Sequence, residues 1–132
     1  MRHNSVRSRH LATSTDGGAT FGAATAGAVL NDPLCNADEL SYLTPAQRGS
    51  NGAPVRTATA LYSGNAHASA RSDLTVRLST DDGATWPTRA LIRTGTAGYS
   101  TMAAGQVGVL YEIGDTGGIV FARFTLDWLR TA

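Results

Sequence analysis

One eight-residue pattern occurs twice in this chain and restricts the folds that the chain can adopt. The pattern is Ser-x-Asp-x-Gly-x-Thr-aromatic, and its two copies begin 65 residues apart, at 14–21 and 79–86. In such a segment the Asp carboxylate can accept backbone N–H groups of a tight turn, the Gly permits a positive φ, and the aromatic ring can fold back and become buried. We therefore predict that each copy closes two antiparallel strands. The residues concerned are Ser14, Asp16, Gly18, Thr20 and Phe21 in the first copy, and Ser79, Asp81, Gly83, Thr85 and Trp86 in the second.

Short alternating runs predict strands in most of the remaining sequence. The clearest run is Leu74–Leu78, in which apolar residues alternate with Thr75 and Arg77, as in a half-buried strand. Further candidate strands are 6–14, 28–30, 38–43, 55–62, 106–113 and 118–126, with long loops in 22–54. No apolar period of 3.6 residues extends over three turns, so the sequence predicts an all-β chain made of hairpins.

Repetition of the same turn after several tens of residues is typical of β-propellers, in which each blade is a four-stranded antiparallel sheet. The repeated pattern is the Asp-box, which occurs at the outer turns of propeller-like proteins and indicates fold more than function. We therefore interpret Asp16, Asp81 and Asp82 as structural residues. A chain of this length predicts a partial β-propeller of about two to two and a half blades.

Composition excludes several other classes of protein. The formal net charge is +1, and the 11 basic residues are all Arg and form no stripe interleaved with aromatic residues, so no nucleic-acid partner is predicted. No apolar run is long enough to cross a membrane, and the N-terminal segment lacks the apolar region of a signal peptide. Cys35 is the single cysteine, and His3, His10 and His67 show no metal-ligand spacing, so neither an internal disulfide nor a metal site is expected.

Several ordered segments resemble the last third of a sialidase catalytic domain. They are MetArgHisAsnSer at 1–5, AlaArgSerAspLeu at 70–74, GlyTyrSerThrMet at 98–102, ValLeuTyrGlu at 109–112 and PheThrLeuAspTrpLeu at 124–129. The first two each precede an Asp-box, as in that family. AspProLeuCys at 32–35 is similar to a family loop, although the residues that follow it depart from the usual pattern.

The resemblance implies a six-bladed propeller and the activity of an exo-α-sialidase, a glycoside hydrolase that releases terminal sialic acid with retention. Tyr99 matches the nucleophile, Arg71 and Arg2 match two of three arginines that bind the sugar carboxylate, and Glu112 matches the glutamate that orients the first arginine. Because sialic acid carries a carboxylate at its anomeric carbon, a neutral phenol can approach that carbon without the repulsion that a carboxylate nucleophile would meet. The implied partners are sialylated glycans, no cofactor is implied, and the implied setting is a secreted or cell-surface bacterial protein.

No segment matches the first arginine, the glutamate base or the general acid aspartate of the family, all of which lie upstream of the position that Arg2 matches. We therefore expect residues 1–132 to be the C-terminal part of a longer propeller domain whose other blades come from upstream sequence. The isolated chain is then expected to be inactive. Two alternatives remain open: a non-catalytic Asp-box module that binds carbohydrate or protein, and a truncated remnant without function.

Overall fold

The computed structural model describes residues 7–42, 59–105, 107–114 and 116–132, and this part of the chain is built almost entirely of antiparallel strands. The strands are β1 (Ser8–Leu11), β2 (Thr25–Asn31), β3 (Asp38–Ser41), β4 (Ala60–Asn65), β5 (Ser72–Ser79), β6 (Thr88–Thr96), β7 (Ser100–Ala103), β8 (Val107–Glu112) and β9 (Ile119–Phe124), followed by helix α1 (Leu126–Thr131). They form a two-stranded sheet β1-β2, a four-stranded sheet β3-β4-β5-β6 and a three-stranded sheet β7-β8-β9. Every pairing joins neighbours in the sequence, so the prediction of an all-β chain of hairpins is confirmed.

The four-stranded sheet is covered on both faces. Leu61 of β4 lies opposite Leu78 of β5, and both belong to the larger hydrophobic cluster. Tyr62 lies opposite Arg77 on the other face and belongs to a smaller cluster. The prediction of a half-buried strand at Leu74–Leu78 is therefore wrong in one respect, because Thr75, Arg77 and Ser79 are buried as well. A central strand with both faces covered buries its polar residues along with its apolar ones.

The larger cluster joins the four-stranded sheet, the three-stranded sheet and α1. Its buried members are Tyr42, Leu61, Leu74, Val76, Leu78, Ala90, Ala97, Val107, Val109, Tyr111, Phe124 and Leu129. The smaller cluster, Leu30, Ala60, Tyr62 and Trp86, joins β2 to the opposite face of the four-stranded sheet. The core of the described residues therefore lies between sheets, as in stacked blades.

Both Asp-boxes form the predicted turn. Asp16 Oδ1 accepts the Thr20 amide at 2.9 Å and Asp16 Oδ2 accepts the Thr20 hydroxyl at 2.6 Å, and Asp81 makes the same two contacts with Thr85 at 2.8 and 2.6 Å. These hydrogen bonds stabilise the ionised carboxylates and lower the pKa of both, that of Asp81 to about 2. Trp86 is buried as predicted, but the prediction that Phe21 covers its hairpin is wrong, because Phe21 is 65% exposed.

Several strand bounds differ from those expected. Strands β6 and β7 were not predicted: β6 mixes apolar and polar residues on both faces, and β7 has only four residues, too few for a clear alternation. The candidate strand at 55–62 overlaps β4 only at its end, since 55–58 lie outside the described residues. The candidate at 118–126 ends at Phe124, because the Thr125 hydroxyl accepts the Trp128 amide and begins α1.

Candidate functional site

Tyr99 and Glu112 lie opposite each other at the entrance of the β7–β8 hairpin. The register pairs Ser100 with Tyr111, and the ladder continues one step further, with the Glu112 amide donating to the Tyr99 carbonyl at 3.0 Å and the Gly98 amide donating to the Glu112 carbonyl at 2.8 Å. The Tyr99 amide also donates to Glu112 Oε2 at 3.1 Å. The glutamate side chain therefore lies against the peptide that carries the tyrosine.

Gly98 permits this close approach. A Cβ atom at position 98 would lie 2.5 Å from Glu112 Oε2 and 3.0 Å from Glu112 Cβ. No side chain fits at such distances without displacing the carboxylate. The glycine before the tyrosine is therefore required by the position of Glu112.

Arg71 reaches the same hairpin from the four-stranded sheet. Its carbonyl accepts the Ala97 amide at 2.9 Å, and its Nη2 donates to the Leu34 carbonyl at 2.9 Å. Its guanidinium Cζ lies 5.4 Å from the centre of the Tyr99 ring, within the range of a cation–π interaction. The cation and the phenol are thus neighbours although 28 positions separate them in the sequence.

Arg71, Tyr99 and Glu112 line one open cavity of about 340 Å³, together with Gly114, Gly118 and Ile119. The Tyr99 side chain is partly exposed at 37%. A cavity with a guanidinium beside a neutral phenol can bind an anion next to a potential nucleophile. The structure therefore brings together three of the four residues singled out in the sequence, whereas Arg2 lies outside the described residues. Their roles in binding or catalysis stay predictions.

A polar cluster around the 32–35 loop was missed in the sequence. Arg9 Nη2 lies 3.4 Å from Asp32 Oδ1, Arg9 Nε donates to the Tyr62 hydroxyl at 3.4 Å, and Arg9 also donates to the Cys35 carbonyl. Burial raises the pKa of the Cys35 thiol and of the Tyr62 hydroxyl, so both are neutral at physiological pH. The sequence did single out the 32–35 loop as similar to a family loop. It gave no indication that Arg9 of β1 contacts this loop.

His67 contacts a carboxylate that the sequence spacing did not indicate. His67 Nε2 lies 2.8 Å from Asp73 Oδ2 on the surface, and this contact, after the stronger backbone bond from Gly95, lowers the pKa of Asp73. Within the described ranges, no three His, Cys, Asp or Glu residues are grouped as a metal site would require. No helix in those ranges has the length and apolar character needed to cross a bilayer.

Comparison with known proteins relates the chain to sialidases both in sequence and in structure. No protein-family model matches the chain. A sialidase of Micromonospora viridifaciens is 40% identical over 124 residues, which are 92% of this chain and 18% of that protein. The solved structure of the Hadza microbial sialidase Hz136 superposes with a TM-score of 0.64 and 28% identity, over 89% of this chain and 22% of that one.

The chain thus spans about a fifth of the length of the sialidases that it matches. The structural likeness fits the partial propeller predicted from the repeated turn, with sheets of two, four and three strands among the described residues. The sequence match covers nearly all of this chain. In sequence and in fold, the chain is a homologue of a segment of the sialidases.

Proposed function

We propose that this chain supplies the nucleophile and part of the carboxylate-binding site of an exo-α-sialidase. The observation that carries the proposal is the convergence of Arg71, Tyr99 and Glu112 on one cavity. Tyr99 is the proposed nucleophile, and Arg71, together with Arg2, is the proposed clamp for the carboxylate of a sialylated glycan. Glu112 is proposed to orient the family's first arginine, which no segment of this chain matches.

In the proposed reaction, the Tyr99 phenol loses its proton to a base as its oxygen attacks the anomeric carbon. The glycosidic C–O bond breaks, and the departing alcohol oxygen takes a proton from a general acid. Water then hydrolyses the tyrosyl sugar, and two inversions give net retention. No residue among these 132 positions matches the family's base or its general acid. Turnover is therefore proposed only where this chain is combined with a segment that supplies those two groups.

Charge and position support these roles. Arg71 presents a permanently charged, planar guanidinium that can bind a carboxylate through two parallel N–H groups. Its bond to the Leu34 carbonyl fixes one nitrogen and thereby its orientation. The phenol beneath it would face the anomeric carbon of a sugar whose carboxylate is held by the guanidinium. The geometry suits an anionic sugar better than a neutral one.

A chimera tests the catalytic proposal. The aligned segment of the Micromonospora sialidase is replaced by this chain, and hydrolysis of a fluorogenic sialoside is measured. We expect Tyr99→Phe to reduce kcat by a factor of about 10³ or more, because the nucleophilic oxygen is lost. Tyr42→Phe is the matched control, since it removes a phenol oxygen that donates to the Gly105 carbonyl in the core.

The outcomes separate the alternatives. Undiminished turnover in Tyr99→Phe would refute the nucleophile assignment. A chimera that binds N-acetylneuraminic acid but does not hydrolyse the sialoside would favour the non-catalytic binding module. For the clamp, titration of the 132-residue chain with N-acetylneuraminic acid should show weaker binding after Arg71→Ala than after Arg130→Ala, a control arginine that contacts only Asp127 on α1 in the described structure.

A further inference from the structure

We infer that Asn65 is a positioning residue that fixes Tyr99 relative to Arg71, a role that rests on the proposed function. Asn65 ends β4 and is 3% exposed. Its Nδ2 donates to the Gly98 carbonyl at 3.3 Å and to Cys35 Sγ at 2.8 Å. It therefore contacts both the residue that precedes Tyr99 and the residue that follows Leu34.

These two contacts connect the segments that hold the proposed nucleophile and the proposed clamp. The Gly98 carbonyl belongs to the peptide bond that leads into Tyr99. The Cys35 loop holds Arg71, because the neighbouring Leu34 carbonyl accepts Arg71 Nη2. One carboxamide thus joins the two segments across sequence separations of 30 and 33 residues.

The Gly98 segment is held by backbone contacts on both sides. The Gly98 amide donates to the Glu112 carbonyl of the three-stranded sheet at 2.8 Å, and the Ala97 amide donates to the Arg71 carbonyl at 2.9 Å. The Gly98 carbonyl, which begins the peptide bond to Tyr99, accepts from Asn65. Asn65 thereby fixes the orientation of that peptide and, through it, the position of the phenol relative to the guanidinium.

A second observation concerns the oxygen of the same carboxamide. Its Oδ1 is buried and has no hydrogen-bond partner among the described residues. A buried, unpartnered carbonyl oxygen destabilises a fold, so packing alone does not favour an asparagine here. Departures from packing rules of this kind concentrate at functional sites.

The test uses NMR on the 132-residue chain and compares three variants. Asn65→Asp keeps the size of the side chain but removes both N–H donors, and Asn65→Ala removes the whole carboxamide. Ser63→Ala is the matched control, since Ser63 is buried on the same strand and its hydroxyl contacts Ser100 at 3.0 Å. The backbone carbonyl at position 63, which already accepts the Ser100 hydroxyl at 3.3 Å, remains in that variant.

The first readout is the contact between Arg71 and the Tyr99 ring, followed by nuclear Overhauser effects and by the ring-current shift of the Arg71 side chain. We expect both to be lost or halved in Asn65→Asp and Asn65→Ala and kept in Ser63→Ala. The second readout is the affinity for N-acetylneuraminic acid, which should weaken about fivefold or more in the Asn65 variants only.

A folded Asn65→Asp variant with an unchanged Arg71–Tyr99 contact would overturn the inference, as would an equal loss in Ser63→Ala. If both Asn65 variants fail to fold, the inference is tested by measurements on the wild-type chain. Slow exchange of the Asn65 carboxamide protons and their Overhauser effects to the Tyr99 amide support the role, and their absence refutes it. Failure of every form to bind N-acetylneuraminic acid would show that Arg71 alone does not hold the carboxylate, and it would not count against Asn65, because the side-chain contact is measured without ligand. Turnover by the chimera tests the proposed function separately.

Discussion

The two Asp-box turns, 14–21 and 79–86, have the same hydrogen bonds but differ in where their aromatic residue lies. In both, the serine hydroxyl contacts the aspartate carboxylate at 2.7 Å. The amide of Gly18 in the first turn and of Gly83 in the second donates to that hydroxyl, at 2.8 and 2.9 Å. Trp86 is nevertheless 7% exposed, whereas Phe21 is 65% exposed. The turn geometry is therefore independent of whether its aromatic residue is packed.

The difference comes from the sheets that each turn joins. The second turn connects β5 to β6 in a four-stranded sheet, and Trp86 packs edge-on against Tyr62 of β4 at 5.9 Å between ring centres. Leu30 of β2 completes that cluster. The first turn connects β1 to β2, which form a two-stranded sheet among the described residues, and Phe21 belongs to neither hydrophobic cluster. An aromatic residue in this motif becomes buried only where a neighbouring strand offers a surface.

The largest predicted effect compares the two aromatic residues directly. Trp86→Ala should lower the free energy of unfolding by about 3–5 kcal/mol, because it opens a cavity between β2 and the four-stranded sheet. Phe21→Ala should change it by no more than about 0.5 kcal/mol, as expected for an exposed residue. Urea denaturation of both variants measures the difference, and equal losses would show that the two turns are packed alike.

Lowering the pH is expected to have a smaller effect on the stability of the fold. The Asp81 carboxyl has its pKa lowered from 3.8 to about 2 by the Thr85 and Ser79 contacts, and the pKa of Asp16 is lowered further by the corresponding contacts. A carboxyl whose pKa is lower in the folded state contributes stability that is present above about pH 4 and is lost as the pH falls towards the folded pKa. Unfolding measured between pH 5 and pH 2 should therefore show stability falling with pH.

The acid dependence also separates the two turns. Asp81→Asn should flatten the fall in global stability between pH 4 and pH 2, because its turn connects two strands of the core sheet. Asp16→Asn should flatten the fall by at least as much, because the pKa of Asp16 is lowered further. A smaller effect of Asp16→Asn than of Asp81→Asn would show that the first turn opens separately from the core sheet.

The smallest predicted effect concerns the polar part of Trp86. Its indole Nε1 is buried and has no hydrogen-bond partner in the described ranges, so Trp86→Phe removes an unpartnered donor as well as some apolar area. These contributions oppose each other, and we expect a net change of less than about 1.5 kcal/mol by thermal denaturation. A loss as large as that of Trp86→Ala would show that the indole nitrogen, and not the packed ring, stabilises the turn.

Sequence patterns singled out three residues that the structure brings together, whereas they missed two of the strands. Arg71, Tyr99 and Glu112 were identified through ordered motifs, and all three line one cavity. The edge strand β6 and the short strand β7 were not predicted, because their residues show no regular alternation and their strand conformation depends on pairing with β5 and β8. Arg9, Asp32 and Asn65 were missed because isolated polar residues give no signal until the strands that bury them are known.

The sequence by itself determined both Asp-box turns, since each depends on hydrogen bonds between residues no more than four positions apart. It also determined the all-β character of the chain, through alternation within single strands. Tertiary structure decided which aromatic residue is buried, why β5 buries its polar residues, and how Asn65 joins Cys35 to Gly98. Those features depend on contacts between residues distant in the sequence, 24 positions apart for Tyr62 and Trp86 and 30 and 33 positions apart for the Asn65 contacts. At such distances burial is set by the neighbouring sheet and not by the local pattern.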